Sequence, residues 1–345
     1  MRLEILRGSA VHEGGWAGSV LCHDIVGADG RPMLRKGHRL APADSEALSQ
    51  AAPLELHVVW LGEGDVDENT AATRLAQAVA GPGVEIHPPV DSQVRLSAAW
   101  RGLAQVDAMT LAAINGVEGV TVFTIPDGVP VESGRTLAGA KVTPLAVSGS
   151  TLEEAELIAA SAPRGPTVTV RRFLPLRVRA VIRQRIDGVA RRRLEVSLRR
   201  RVDWFGGSVE SIEYADDRAV ADGALVTATA AADLVIVIGL ATVDPLESTW
   251  RALVNAGASV IRRGLPVHPG SSYWLVTLQG VPVIGVASCG MFSRRSALDL
   301  LLTRCFTGEP LDSEFLAGLG HAGLLQPEGS WRIPTYDGQV GMDER

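Results

Sequence analysis

A chain of 345 residues, 46% hydrophobic and 21% charged, has apolar content for about two or three packed domains and is neither disordered nor fibrous. A net charge of −6 makes nucleic acid a poor partner. No apolar run reaches the roughly 18 residues of a membrane span, and the charged N-terminus lacks the apolar core of a signal peptide.

The three cysteines, Cys22, Cys289 and Cys305, have no CxxC spacing, which indicates neither a disulfide framework nor a zinc knuckle. A reducing cytoplasm is the expected location. Of the 33 basic residues, only Lys36 and Lys141 are lysines. The rest are arginines, whose planar forks suit phosphate oxygens.

Residues 19–26 read as a strand, followed by the turn Gly27-Ala28-Asp29-Gly30. Residues 54–60 read as a second strand. Asp67 is placed to cap a helix through Val79, which Gly81-Pro82-Gly83 ends. A helix is expected over 97–114. Residues 120–125 are a β-branched strand, and short strands follow to 147. Thr151, with Glu154 three residues on, reads as a capping box opening a helix to about 162. Pro163-Arg164-Gly165-Pro166 is the best boundary.

Beyond it, strands and helices alternate. Strands are expected over 178–183, 209–214, 234–238, 258–261, 274–279 and 281–286. Helices are expected over 191–205, 217–231, around Leu246–Val254, and from about 294 to 306. The stripe Leu194, Leu198, Val202 and Phe205 has helical spacing. Residues 234–238 are apolar throughout, as a strand covered on both faces must be.

The fold class is therefore α/β. A C-terminal three-layer domain with a mostly parallel sheet (166–325) follows a mixed α+β region rich in short strands (1–165, with a break near 117). An extended tail (326–345) closes the chain. In such sheets ligands sit beyond the carboxyl ends of the strands.

Three segments there have the residue types for anion binding. In the first, Gly239, Ala241 and Thr242 let a ligand approach the backbone before a helix N-terminus. Asp244 and Glu247 lie beside it. They read either as N-cap and N3 acids around Pro245 at the first helical position, or as ligands of a divalent cation beside a phosphate.

The second segment is Pro269-Gly270-Ser271-Ser272, a tight turn offering N–H and hydroxyl donors, or a plain surface turn. In the third, Ser288, Cys289, Gly290, Ser293 and Arg294 form a small-residue loop ahead of a helix. Cys289 has no histidine near it in sequence and reads as chemically inert. Arg183, Arg185, Arg191, Arg192, Arg193, Arg199, Arg200 and Arg201 surround one strand and helix and read either as a solvated face or as an attraction for an anionic cofactor.

P-loop, GxGxxG and HExxH motifs are absent. Residues 65–76 imitate a calcium loop but carry Thr70 where Gly is needed and Ala76 where Glu is needed.

The order of the three segments resembles the molybdenum-cofactor biosynthesis family, in its branch of stand-alone or transferase-fused molybdopterin-binding proteins. The matching stretches are 239–247, Pro269-Gly270-Ser271, and 282–285 continuing to Ser293. The N-terminal stretches Cys22-His23-Asp24-Ile25, Lys36-Gly37-His38, 64–69 and Lys141-Val142-Thr143-Pro144 also look like that branch.

Enzymatic members carry Gly-Gly-Thr or Gly-Gly-Val where this chain has Gly239-Leu240-Ala241. They carry Leu-Pro-Gly where it has Val286-Ala287-Ser288, and Asp where it has Glu247. The resemblance implies a site for molybdopterin or molybdenum cofactor, used in biosynthesis, storage or delivery. It leaves open a molybdotransferase with Mg²⁺ held by Asp244 and Glu247 as catalytic and metal residues, or a regulatory module. It further implies a pterin small molecule and a biosynthesis or molybdoenzyme protein as partners, and a homo-oligomer, with no nucleic acid and no membrane.

Overall fold

The computed structural model describes every residue except 8–14, 28, 52–54, 144, 184–185, 222, 241–243, 245, 288–294, 326–330, 335 and 337–345. The chain is mixed α/β with several sheets, and it divides into two compact units. The first comprises residues 1–100, 104–127 and 133–170; the second comprises 101–103, 128–132 and 171–345. Among the described residues no helix is long and apolar enough to cross a membrane.

In the first unit, Val20–Leu21, Glu55–Trp60 and Arg2–Arg7 form an antiparallel sheet. A second antiparallel sheet joins Val120–Thr124, Thr136–Val142, Gln93–Ala98 and Val84–Ile86. The helix Glu68–Val79 buries Ala71, Ala72, Leu75, Ala76 and Val79. As expected, Asp67 caps it, accepting the backbone N–H groups of Asn69 and Thr70 at 3.1 Å each.

Three local expectations for this unit change. The helix expected over 97–114 is two strands, Gln93–Ala98 and Gly102–Val106, followed by a short helix, Ala108–Asn115. Val94, Leu96 and Ala98 alternate into the interior, a period of two that outweighs helix propensity, and Asp107 caps only the short helix. The strand expected over 19–26 is two short pieces, Val20–Leu21 and Ile25–Val26. The helix Gly149–Ala160 is capped by Ser148, whose hydroxyl accepts the Thr151 N–H at 3.1 Å, so Thr151 is inside it.

The second unit is built on one six-stranded sheet. Its elements are β1 (Arg177–Ile182), α1 (Gly188–Trp204), β2 (Ser208–Tyr214), α2 (Asp217–Ala221), α3 (Ala224–Thr229), β3 (Leu234–Leu240), α4 (Ser248–Asn255), β4 (Ser259–Arg263), β5 (Trp274–Leu278), β6 (Val281–Ala287) and α5 (Ala297–Phe306). The strand order is β2-β1-β3-β6-β5-β4. β2, β1, β3 and β6 are mutually parallel, and β5 runs antiparallel to both its neighbours.

Alternate residues of β3 enter two cores. Leu234, Ile236 and Ile238 join Leu194, Leu198 and Val202 of α1 and Leu301 and Leu302 of α5. Val235 and Val237 join Val220, Leu225 and Leu253 of α2, α3 and α4. Helices thus cover both faces of the sheet, which is why β3 is apolar throughout. The helix expected over 217–231 is broken at Gly223, whose φ of +96° is left-handed and opens α3 as its N-cap. Ile333, in the stretch read as a tail, is 6% exposed within the α1/α5 core.

Candidate functional site

The register places the turn 264–272 and the ends of β3 and β6 at one end of the sheet. Trp274, the first residue of β5, lies opposite Gly285 near the end of β6, and Arg263, the last of β4, lies opposite Trp274. The turn 264–272 between β4 and β5 therefore occupies the end where β1, β3 and β6 finish. At that end Gly239, with φ +90°, is the extra residue of a bulge between Ile238 and Leu240 in the β3/β6 pairing.

The peptide His268-Pro269 is cis, and the Pro269 carbonyl accepts the N–H of Ala297 at 2.9 Å. A Cβ at Gly270 would lie 2.5 Å from that of Ala297. Only glycine lets this turn seat on the first turn of α5. Ser271 is exposed and Ser272 half-buried beside it.

Leu194, Ser197, Leu198, Arg201, Ile238, Val286, Ser296 and Leu298 line a small hollow of about 10 Å³, room for about one water molecule. Its walls are five aliphatic side chains, two hydroxyls and a guanidinium. Ala241, Thr242, Ser288, Cys289, Gly290, Ser293 and Arg294, which continue the chain from these walls, lie outside the described residues.

Arg201 is 8% exposed and Asp299 is fully buried. The Arg201 Nε donates to Asp299 Oδ1 at 2.9 Å, and the Tyr336 hydroxyl donates to the same oxygen at 2.6 Å. Oδ2 accepts the Ser296 N–H at 2.8 Å, completing a capping box at the start of α5. Burial, reinforced by the Asp299 carboxylate, pushes the Tyr336 phenol well above its ordinary range, which keeps it a donor.

The two acids of the first segment are separated in role. Glu247 is the N-cap of α4: Oε2 accepts the Trp250 N–H at 3.1 Å, and Oε1 accepts the Thr249 hydroxyl at 2.8 Å and the Ser248 hydroxyl at 3.3 Å. The helix opens at Ser248, so the capping alternative with Asp244 as N-cap and Glu247 at N3 is displaced by one turn. Asp244 is exposed, and its Oδ1 accepts the Leu246 N–H at 2.8 Å in an Asx turn. Among the described residues no group of three His, Cys, Asp or Glu side chains is disposed to hold a metal.

Arg183 organises the neighbouring helix starts. Its side chain is 5% exposed. It donates to Thr249 Oγ1 at 2.9 Å, to the Ala215 carbonyl at 2.6 Å, to Ser248 Oγ at 2.9 Å, and to Asp217. Hydrogen bonds from Ser248 and Arg183 hold the Asp217 carboxyl below the usual carboxylate range.

The solvated-face reading therefore fails for Arg183 and Arg201. It holds for Arg192 and Arg193, which are exposed. Arg201 had a signal in the sequence: it stands three residues after Leu198 and seven after Leu194, on the buried stripe of α1. Asp299 had one in the Ser296-x-x-Asp299 spacing. Tyr336, in the tail, had none. Cys305 is buried, and burial pushes its thiol up to about 12, which removes it as a nucleophile.

In the first unit three of the four N-terminal motif stretches, 22–25, 36–38 and 64–69, also meet. The Lys36 ammonium lies 3.3 Å from Glu68 and 3.4 Å from Ser92 Oγ, and the Lys36 N–H donates to Asp24 at 2.7 Å.

No family profile matches the chain, and no curated protein matches it. Among solved structures, a molybdopterin biosynthesis MoeA protein from Pyrococcus horikoshii aligns at TM-score 0.30 and 13% identity, over 71% of this chain and 81% of that one. A molybdenum cofactor biosynthesis protein from Pyrococcus furiosus aligns at TM-score 0.24 and 12% identity, over 90% of this chain and 66% of that one. A further MoeA structure from P. horikoshii OT3 aligns at 0.26 and 12%, over 72% and 75%. At these TM-scores the likeness carries no argument about this chain.

Proposed function

We propose that the second unit binds molybdopterin or molybdenum cofactor at the carboxyl ends of β1, β3 and β6, for cofactor biosynthesis, storage or delivery. The observation that carries the reading is convergence. The described ends of the three segments support it: Gly239 in its bulge, Pro269-Gly270 seated on Ala297, and Val286 of β6 lining one hollow with Ser296. A small hollow beside that end adds apolar walls and the Arg201, Ser197 and Ser296 side chains at its edge.

Binding without turnover is favoured over the Mg²⁺-dependent transferase because Glu247 is engaged. Glu247 serves as the α4 cap through the Trp250 N–H and the Thr249 hydroxyl, while Asp244 closes an Asx turn on Leu246. Ala241, Thr242, Ser288, Cys289, Gly290, Ser293 and Arg294 complete the ligand set in this reading. Exchange of cofactor with a biosynthesis protein or molybdoenzyme, and assembly into a homo-oligomer, belong to the same proposal.

The experiment is fluorescence titration with molybdopterin, comparing wild type with Gly270→Val, which pushes the turn off α5. Saturable binding weakened at least about tenfold by the substitution supports the site. Equal binding by both proteins moves the ligand elsewhere, and no binding by either removes the proposal.

A further inference from the structure

We infer that Arg183 is a built-in cation, filling an oxygen cage at the starts of α2 and α4 that would otherwise draw a divalent metal ion. Its Nε donates to Thr249 Oγ1 at 2.9 Å, and its Nη1 to the Ala215 carbonyl at 2.6 Å. Nη2 donates to Ser248 Oγ at 2.9 Å and to Asp217 Oδ1, and lies 4.0 Å from Glu247 Oε1. Two carboxylates, two hydroxyls and a carbonyl thus face one guanidinium, an all-oxygen set of the kind that hard cations take. The Ser248 hydroxyl lies 2.7 Å from Asp217 Oδ1 and 3.3 Å from Glu247 Oε1, so both acids flank the same group.

The Arg183 side chain is 5% exposed. A charge so buried is tolerated only beside counter-charges and with its donors paired. Asp217 and Glu247 supply the counter-charges, and the named hydrogen bonds pair the donors. The dependence runs both ways. Without Arg183, two carboxylates share one hydroxyl with no positive charge between them, which is unfavourable while both are ionised. Arg183 directly follows β1, and the oxygens belong to residues 215–217 and 247–249. One side chain therefore pins both helix starts to the end of that strand. Asp244 is otherwise engaged, its Oδ1 closing the Asx turn on Leu246. A metal ion at Glu247 meets a cation already in place.

Manganese binding to the full-length protein, counted by electron paramagnetic resonance, tests this. No pterin enters the measurement, so the inference and the ligand reading fail separately. Wild type and Arg183→Lys, which keeps the charge, are expected to bind Mn²⁺ no more tightly than about 1 mM. Arg183→Met is expected to take up about one ion per chain at least about tenfold more tightly, with Mg²⁺ raising its unfolding midpoint and leaving that of wild type unchanged. Adding Glu247→Gln to Arg183→Met should abolish the gain. Wild type that binds Mn²⁺ as tightly as Arg183→Met, or Arg183→Met with no gain over Arg183→Lys, overturns the inference. If Arg183→Met folds only with Mg²⁺ present, the cage has accepted the metal and the inference stands. If it folds in neither condition, wild type decides: Mn²⁺ binding that Glu247→Gln removes overturns the inference, and no binding upholds it.

Discussion

Glu247 accepts the backbone N–H of Trp250 at 3.1 Å, so the acid that sequence spacing pairs with Asp244 is the N-cap of α4. Glu247→Ala is expected to lower unfolding free energy by about 1 kcal/mol, the ordinary effect of losing a cap. Asp244→Ala, at an exposed Asx turn, should change it by less than about 0.5 kcal/mol. Urea denaturation of both variants without ligand checks the difference. Equal effects would return the two acids to one shared role.

Asp299→Asn leaves the buried Arg201 guanidinium without its counter-charge. The expected destabilisation is about 3–5 kcal/mol. Adding Arg201→Met to Asp299→Asn, which removes the orphaned charge and keeps an amide oxygen for the Tyr336 hydroxyl, should cost less than Asp299→Asn alone. A thermal or urea unfolding series that found the double replacement worse would show that the pair itself, rather than the orphaned charge, dominates.

Gly285 stands opposite Trp274, and a Cβ there would sit 2.0 Å from the indole. Gly285→Ala forces the ring out of a site where it is 3% exposed and meets Trp250 edge-on at 5.7 Å. A loss of about 1–3 kcal/mol and an altered near-ultraviolet signal are expected. An unchanged spectrum and midpoint would contradict the β5/β6 register.

Asp217 has its carboxyl pKa lowered in the folded chain by Ser248 and Arg183. A depressed folded value means that its contribution is complete above the unfolded value of about 3.9 and is lost as pH falls through the folded one. Asp217→Asn should therefore flatten the acid side of the stability profile below about pH 4 and leave the neutral side parallel to wild type. A changed slope near neutrality would assign the effect to another group.

The second unit was the more legible part of the chain. The stripe of α1 and the apolar run of β3 state their burial directly, because periodicity is a local property. The helix expected over 97–114 gives way to strand up to Val106 because Ala and Leu favour a helix in isolation, and only pairing with Thr136–Val142 makes Gln93–Ala98 a strand. Site residues divide the same way. Gly239 and Gly270 were visible because close backbone approach needs glycine. The bonds from Arg183 to Thr249 and from Arg201 to Asp299 span 66 and 98 residues, and no local pattern encodes which distant acceptor a buried arginine meets.

Pterin occupancy tests the binding site most directly. The protein is expressed in a host that makes the cofactor, purified gently and oxidised, and released pterin fluorescence is compared with that of Gly270→Val prepared identically. The expected result is near-stoichiometric pterin on wild type and little on the variant. Wild type without pterin, even after incubation with a cofactor-rich extract, would contradict the site.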